Sequence, residues 1–128
     1  MEAPFFVTAD EVIALNRAFV TETGEPFQIR SMPLLESACS APINQFVYGA
    51  TRHLDQLGLG LAMSIARNHP FAQGNKRTGW GAMLLFWELN GLELINEDHA
   101  YYADIFVDVI TGETDPEALL AQLTLMEI

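Results

Sequence analysis

Apolar residues recur at helical spacing along most of the chain, and this pattern predicts a mainly α-helical protein. A first helix is predicted to begin after Thr8, because Thr8 and Glu11 stand at the spacing of a capping box. Gly24 provides a stop for it, since glycine readily adopts the left-handed conformation that ends helices. The apolar residues that mark its buried face are Val12, Leu15 and Phe19.

Prolines and a β-prone run define the next part of the chain. A short helix is predicted to begin near Pro33 and to stop at Pro42, because proline is tolerated in the first turn and disrupts a helix interior. The run 45–48 is β-prone and ends at Gly49. We therefore expect a small extended flap or hairpin arm there, which would align a target segment by strand pairing.

Two apolar helices flank a polar loop in the middle of the chain. The helix before the loop is expected to end before Pro70. The helix after it spans about 75–90 and is apolar on all sides, which predicts the central, buried helix of the fold, with a stop at Gly91. The apolar residues at helical spacing in the earlier helix are Leu54, Leu57, Leu61 and Ile65.

Two more helices are predicted towards the C-terminus. One carries an apolar stripe from Tyr102 to Ile110, and a short last helix begins with Asp115 as its N-cap and Pro116 in its first position. The length of 128 residues suits one domain, and half of the residues are apolar, which is enough for a core. The pattern therefore predicts a single all-α domain over residues 1–128, a helical bundle around the central helix.

The charge balance is strongly acidic, with 17 Asp and Glu against 6 Lys and Arg and a formal net charge of −11. Such a surface repels phosphate backbones, so we expect no direct nucleic-acid binding, whereas a basic protein partner would be attracted. Acidic residues gather near the C-terminus, where they form a solvated face or a contact for a basic partner segment. They are Asp104, Asp108, Glu113, Asp115 and Glu117.

Cysteine content and hydropathy indicate a cytoplasmic protein. Cys39 is the single cysteine, so neither a disulfide within the chain nor a cysteine-pair zinc site can form. The longest uncharged stretch, 78–87, is too short to span a bilayer. Residues 1–8 are too short and too acidic for a signal peptide, so we expect no membrane association.

The segment 69–79 carries the chemistry that the rest of the chain lacks. It leads into the N-terminus of the central helix, where unpaired backbone N–H groups and the helix dipole form an anion site. Gly74 allows a close backbone approach, and Lys76 and Arg77 add two of the six basic residues. His69 stands beside this site, and a neutral imidazole can take a proton from an attacking hydroxyl. This arrangement suits phosphoryl or nucleotidyl transfer.

The run 69–79, His-Pro-Phe-Ala-Gln-Gly-Asn-Lys-Arg-Thr-Gly, resembles the Fic-family signature His-Pro-Phe-x-Asp/Glu-Gly-Asn-Gly/Lys-Arg. The form Gly-Asn-Lys-Arg-Thr resembles the death-on-curing (Doc) toxin branch of that family. A second block at 29–38, Ile-Arg-Ser-Met-Pro-Leu-Leu-Glu-Ser-Ala, is similar to a segment that this branch tends to carry. The resemblance implies a Fic-like helical fold over most of the chain.

Transferred position by position, the resemblance implies a role for several loop residues. His69 would be the general base on the target hydroxyl, and Phe71 would anchor the loop in the core. Gly74 and Asn75 would shape the anion hole. Arg77 would hold a phosphate of ATP, the co-substrate.

Lys76 distinguishes two transfer reactions within this resemblance. The AMP-transferring members have glycine at this position, whereas lysine is similar to the Doc branch, in which the terminal phosphate is transferred. The resemblance therefore favours a toxin that moves the γ-phosphate of ATP to a Ser or Thr hydroxyl of a target protein, such as a translation factor. AMP transfer by the same site is the alternative.

Gln73 departs from the family pattern, which has Asp or Glu there to help hold Mg²⁺ on the nucleotide. A hard cation prefers charged oxygen ligands, and Gln73 offers a neutral carbonyl oxygen, so weak Mg²⁺ binding is expected. A further alternative follows, in which the chain is a catalytically impaired homologue that acts as a binding module.

Self-regulating Fic members carry an inhibitory segment, Ser/Thr-x-x-x-Glu-Gly/Asn, and no such segment is evident here. Residues 21–26 come closest, but Pro26 breaks the pattern. The resemblance then implies an antitoxin protein supplied in trans, whose disordered tail folds on the toxin.

Overall fold

Six helices form most of the protein in the computed structural model, which describes residues 2–128. In chain order they are α1 (Ala9–Thr23), α2 (Met32–Val47), α3 (Leu54–Asn68), α4 (Asn75–Leu89), α5 (His99–Ile110) and α6 (Pro116–Gln122). Two short strands, β1 (Leu92–Leu94) and β2 (Leu125–Glu127), pair in antiparallel fashion. The prediction of an all-α fold is confirmed. No helix within residues 2–128 has the length and apolar character needed to cross a membrane.

The predicted capping box starts α1. The backbone N–H of Glu11 donates to the Thr8 hydroxyl oxygen over 3.2 Å, and the Thr8 N–H donates to the Glu11 carboxylate over 2.9 Å. At the other end, Gly24 has a left-handed φ of 74°, and its N–H donates to the Thr21 carbonyl. Both predicted ends of α1 are confirmed, because local chemistry determines them.

The predicted stop at Pro42 and the predicted flap at 45–49 are both wrong. Helix α2 begins after its Ser31 cap and continues through Pro42 to Val47. A proline in a helix interior removes one hydrogen bond and costs about 3 kcal/mol. One face of α2 is buried against α3, and this tertiary packing outweighs the proline penalty and the β-propensity of the run. The buried residues of α2 are Leu35, Ala38, Cys39, Pro42 and Phe46.

Helix α4 is the centre of the fold, as predicted. It packs against α1, α3, α5 and β1, and Met83, Phe86 and Trp87 are fully buried. Its most extensive contact is with α3, and glycine permits the close approach. A Cβ atom at Gly79 would lie 2.6 Å from the carbonyl oxygen of Ala62. Helices α3 and α4 therefore form a tightly packed base for the loop that joins them.

The sequence pattern does not predict the two strands. β1 follows α4 directly, and β2 lies near the C-terminal end of the chain, where it pairs with β1. A strand of three residues is too short to show an alternating pattern, so only tertiary contacts reveal it. The last helix begins as predicted, with Asp115 as N-cap and Pro116 in its first position.

Gly79→Ala should destabilise the fold, because the new methyl group would press on the Ala62 carbonyl of rigid helical backbone. Overpacking of this kind costs roughly 1–3 kcal/mol, whereas alanine gains up to about 1 kcal/mol in helix propensity. The control is Gly81→Ala in the same helix, since its Cβ would meet the Phe19 ring at 2.9 Å and that side chain can rotate away. Urea unfolding should show the larger loss for Gly79→Ala, and equal losses would contradict this explanation.

Candidate active site

The loop that contains the motif joins α3 to α4 and pairs with a distant segment of the chain. Ile29 and Phe71 form an antiparallel bridge. The backbone N–H groups of Arg30 and Ser31 both donate to the Pro70 carbonyl, over 2.7 and 3.2 Å. The two sequence blocks that carry the family resemblance therefore lie side by side in space.

Phe71 and Asn75 fix the shape of the loop from within. The Phe71 side chain is fully buried, and its ring centroid lies 6.5 Å from that of Phe27. The amide oxygen of Asn75 accepts from the Phe71 N–H over 3.0 Å, and the amide nitrogen donates to the Phe71 carbonyl over 2.8 Å. Asn75 is only 9% exposed, so these hydrogen bonds are shielded from water. The Phe71 side chain thus anchors the loop in the core, and the Asn75 side chain stabilises its backbone.

A positive φ at Gly74 turns the chain into α4. Gly74 is the N-cap, with φ of 75°, and no side chain caps the helix. The N–H groups of Asn75, Lys76 and Arg77 in the first turn consequently have no partner within the helix. Together with the helix dipole they have the geometry of an anion site. A Cβ at Gly74 would lie 3.3 Å from the Asn16 side chain, so little room exists for a larger residue.

Asn16 of α1 holds the loop from the other side, a contact that the sequence reasoning missed. Its amide nitrogen donates to the Gln73 carbonyl over 2.8 Å and to the Thr78 hydroxyl over 3.1 Å. The side chain is fully buried. A signal was present in the sequence, because Asn16 lies four residues after Val12 and four before Val20, and is thus a polar residue in the buried face of α1.

The Arg77 side chain contacts two residues of α1, Glu22 and Phe19. Its guanidinium lies 2.9 Å from the Glu22 carboxylate and 4.6 Å from the centre of the Phe19 ring. The side chains of Arg77 and Glu22 are 44% and 66% exposed, so water weakens their ion pair. Glu22 belongs to the segment 21–26 that resembles an inhibitory motif only in part. No local pattern in the sequence pairs these two residues, because they stand 55 positions apart.

His69 ends α3 in a left-handed conformation with φ of 50°. Its side chain is exposed, so a hydroxyl on another protein can reach the imidazole. Together with residues 72–77, His69 lines an open depression of about 250 Å³. The structure therefore brings the candidate base, the uncapped start of α4, and both cations Lys76 and Arg77 into one place. A hydroxyl at His69 and a phosphate at the helix end would be neighbours there.

The side chains of this depression do not form a metal site. Gln73 is exposed and offers one neutral amide oxygen. Within residues 2–128, no group of three His, Cys, Asp or Glu side chains is arranged to hold an ion. Mg²⁺ prefers charged oxygen ligands, so these residues alone do not fit a resident metal ion.

Two other features lie outside the loop. A cavity of about 530 Å³ lies at the far end of α3 and α4, where Leu54 and Trp87 line it. Cys39 is buried, and this burial, assisted by the nearby Glu36 carboxylate, raises the pKa of its thiol to about 11. A thiol with such a pKa stays protonated near neutral pH, so Cys39 is not a nucleophile there.

Comparison with known proteins supports the family resemblance of the loop motif. The family model described as Fic/DOC family matches residues 6–87, which include α1, the loop and most of α4. Over 103 residues the chain is 33% identical to Toxin Doc of Mycolicibacterium smegmatis, with 78% of each chain covered. Over 107 residues it is 27% identical to Protein kinase doc of Escherichia phage P1, with 84% of this chain and 83% of the relative covered. The chain therefore belongs to the Fic/DOC family, in its Doc branch.

Proposed function

We propose that this protein is a toxin that transfers the γ-phosphate of ATP to a Ser or Thr hydroxyl of a target protein. The observation that carries the proposal is the single depression in which exposed His69 adjoins the uncapped start of α4. Lys76 and Arg77 line the same depression, which gives a polyphosphate two cations and free N–H groups. The names of its relatives, Toxin Doc and Protein kinase doc, support the same activity.

In the proposed reaction, the target hydroxyl gives its proton to the imidazole of His69 while its oxygen bonds to the γ-phosphorus of ATP. The bond from that phosphorus to the β–γ bridging oxygen breaks, and ADP leaves with the bonding electrons. The N–H groups at the start of α4, with Lys76 and Arg77, stabilise the charge on the transferring phosphoryl oxygens. His69 then releases its proton to water.

In the proposed reaction, Mg²⁺ binds together with ATP and not at a metal site of the protein. Because the residues of the depression do not build a metal site, the nucleotide phosphates and water would hold most of its ligand positions. Gln73 would contribute its neutral amide oxygen.

We also propose that an antitoxin protein supplied in trans controls the activity. The net charge of −11 favours an antitoxin segment that is rich in Lys or Arg. The ion pair between Glu22 and Arg77 is too exposed to keep a polyphosphate out by itself. Efficient inhibition would therefore require a second protein.

His69→Asn should abolish phosphate transfer to proteins of a cell lysate. Asparagine tolerates the left-handed backbone at this position, so the loop keeps its shape while the base is lost. The experiment uses ATP labelled on the γ- or the α-phosphate, with Mg²⁺ present. The wild-type protein should transfer γ-label only, and His53→Asn, at the N-cap of α3, should retain this activity.

Other outcomes of this labelling experiment identify the alternatives. Transfer of α-label would mean AMP transfer by the same site. No transfer of either label by the folded wild-type protein would mean an impaired homologue that acts as a binding module. Undiminished transfer by His69→Asn would contradict the role of His69 as general base.

Gln73→Glu should lower the Mg²⁺ concentration that gives half-maximal transfer of γ-label, because a carboxylate is a stronger ligand for a hard cation than an amide. The backbone carbonyl of this residue, which accepts from Asn16, is unaffected by the change. The measurement is the transfer rate as a function of Mg²⁺ at fixed ATP. Gln28→Glu, an equal charge change at another exposed position, is the control. Identical Mg²⁺ curves for all three proteins would show that Gln73 lies away from the metal.

Glu22→Gln should increase the affinity for ATP, because Arg77 would no longer be paired with a carboxylate. An exposed ion pair of this kind contributes little, so the expected gain is about two- to five-fold. The dissociation constant of a non-hydrolysable ATP analogue measures it, at low and at high salt. Glu25→Gln makes the same charge change nearby, where the carboxylate accepts from Thr23 instead. Equal effects of the two substitutions would mean that only net charge matters.

A further inference from the structure

The cavity of about 530 Å³ lies at the end of α3 and α4 that is opposite the candidate active site. Its lining residues come from the start of α3, the end of α4, the two strands, and α6 with the residue that follows it. Helix α3 has 15 residues, so roughly 22 Å of helix at a rise of about 1.5 Å per residue separates this cavity from His69. The volume falls within the range of about 300–1,000 Å³ that is usual for small-molecule pockets.

Aliphatic side chains and one aromatic ring form the walls of this cavity. The ring is that of Trp87, which is buried, and its indole N–H donates to the Leu54 carbonyl over 2.9 Å, so its orientation is fixed. The leucines of the lining are half-buried, and a ligand side chain can therefore cover the apolar surface that the fold leaves open. The apolar lining residues are Leu54, Trp87, Leu92, Leu120, Leu123 and Leu125.

Two opposite charges line the same cavity at the start of α3. The Arg52 guanidinium lies 4.8 Å from the centre of the Phe46 ring, and this cation–π contact holds it in place. One oxygen of the Asp55 carboxylate accepts from the Gln56 N–H over 2.9 Å. Within residues 2–128, neither Arg52 nor Asp55 forms an ion pair in the structure, so each charge can pair with a ligand.

A cation and an anion beside apolar walls favour a ligand that carries both charges next to an apolar group. A carboxylate without a cationic group would meet the Asp55 carboxylate and the net charge of −11. An amine without an anionic group would place a second cation near Arg52. A free apolar α-amino acid avoids both costs, because it carries a carboxylate, an ammonium group and an apolar side chain on one carbon atom.

We infer that this cavity binds a free apolar α-amino acid such as leucine. Arg52 pairs with its carboxylate, Asp55 pairs with its ammonium group, and its side chain packs among the leucines and Trp87. The site is separate from the loop at 69–77, so this inference does not rest on the proposed function.

The first test measures ligand affinities by calorimetry on the full chain. L-Leucine should bind about tenfold more tightly than glycine, because covering an apolar side chain favours binding on this scale. Isocaproate is leucine without its amino group, and isopentylamine is leucine without its carboxylate. Each should bind about two- to fivefold more weakly than L-leucine, since each loses one partly exposed ion pair.

Charge-removing variants should change these affinities in opposite patterns. Arg52→Gln should weaken the binding of L-leucine and isocaproate but not that of isopentylamine. Asp55→Asn should weaken the binding of L-leucine and isopentylamine but not that of isocaproate, and asparagine can still accept from the Gln56 N–H. The matched controls are Arg67→Gln at the other end of α3 and Asp10→Asn in the first turn of α1, and both should leave all affinities unchanged.

A cavity-filling variant tests the apolar part of the site. Leu123→Trp should abolish the binding of L-leucine, because the larger ring would occupy the cavity. Thr124→Trp introduces the same ring at the next position, which is exposed and outside the cavity, and should retain binding. Urea unfolding of both variants shows whether they are folded under the conditions of the titration.

Tryptophan fluorescence locates the ligand without a change to the cavity. Trp80→Phe leaves Trp87 as the only tryptophan of the chain. L-Leucine should change the emission of this variant, and glycine at the same concentration should not.

Three outcomes would overturn this inference. Equal affinities of the wild-type protein for L-leucine and glycine would mean that the apolar walls do not take a side chain. An unchanged affinity for L-leucine in both Arg52→Gln and Asp55→Asn would place the ligand elsewhere. Absence of L-leucine binding by the folded wild-type protein would remove the site altogether. The transfer of γ-label is measured separately, so none of these outcomes contradicts the proposed function.

Discussion

The two hydrogen bonds between the Asn75 side chain and the Phe71 backbone are the constraint on which the site depends. A short loop between two buried helices cannot satisfy its own N–H and C=O groups through regular secondary structure. The Asn75 amide supplies one donor and one acceptor to the same residue, in a setting closed to water. The start of α4 is thereby fixed, and with it the direction of the free N–H groups that follow Gly74.

The loop is also coupled to distant parts of the chain, so its geometry is a property of the whole fold. Ser31 caps α2 through its hydroxyl oxygen, which accepts from the Leu34 N–H, and its own N–H donates to the Pro70 carbonyl. Ser31 therefore joins the start of α2 to the loop through two hydrogen bonds. Asn16 makes the equivalent connection to α1 through the Gln73 carbonyl. These contacts give a physical reason for the second block of the family resemblance, which supports the loop through its backbone.

Local signals in the sequence predicted most of the fold and the location of the candidate site. They did not predict contacts between residues that are distant in the sequence. The ends of α1, the buried α4 and the loop at 69–77 each follow from neighbouring residues, through capping, apolar spacing and glycine placement. The predicted helix stop at Pro42 was wrong, because the packing of α2 against α3 outweighs the helix-breaking effect of a single proline. The partners Asn16 and Glu22 were missed for the same reason, since each contacts residues more than fifty positions away.

Electrostatics around the loop favour a ligand whose charge is concentrated at one end. The chain as a whole repels polyanions, so its two adjoining cations act over a short range, within a Debye length of about 8 Å. Negative side chains flank these cations on both sides, with Glu22 on α1 and Asp104 on α5. A long nucleic-acid backbone would place further phosphates against these carboxylates. A nucleoside triphosphate, the proposed co-substrate, limits this repulsion, because its phosphates lie at one end of the molecule and can displace Glu22 from Arg77.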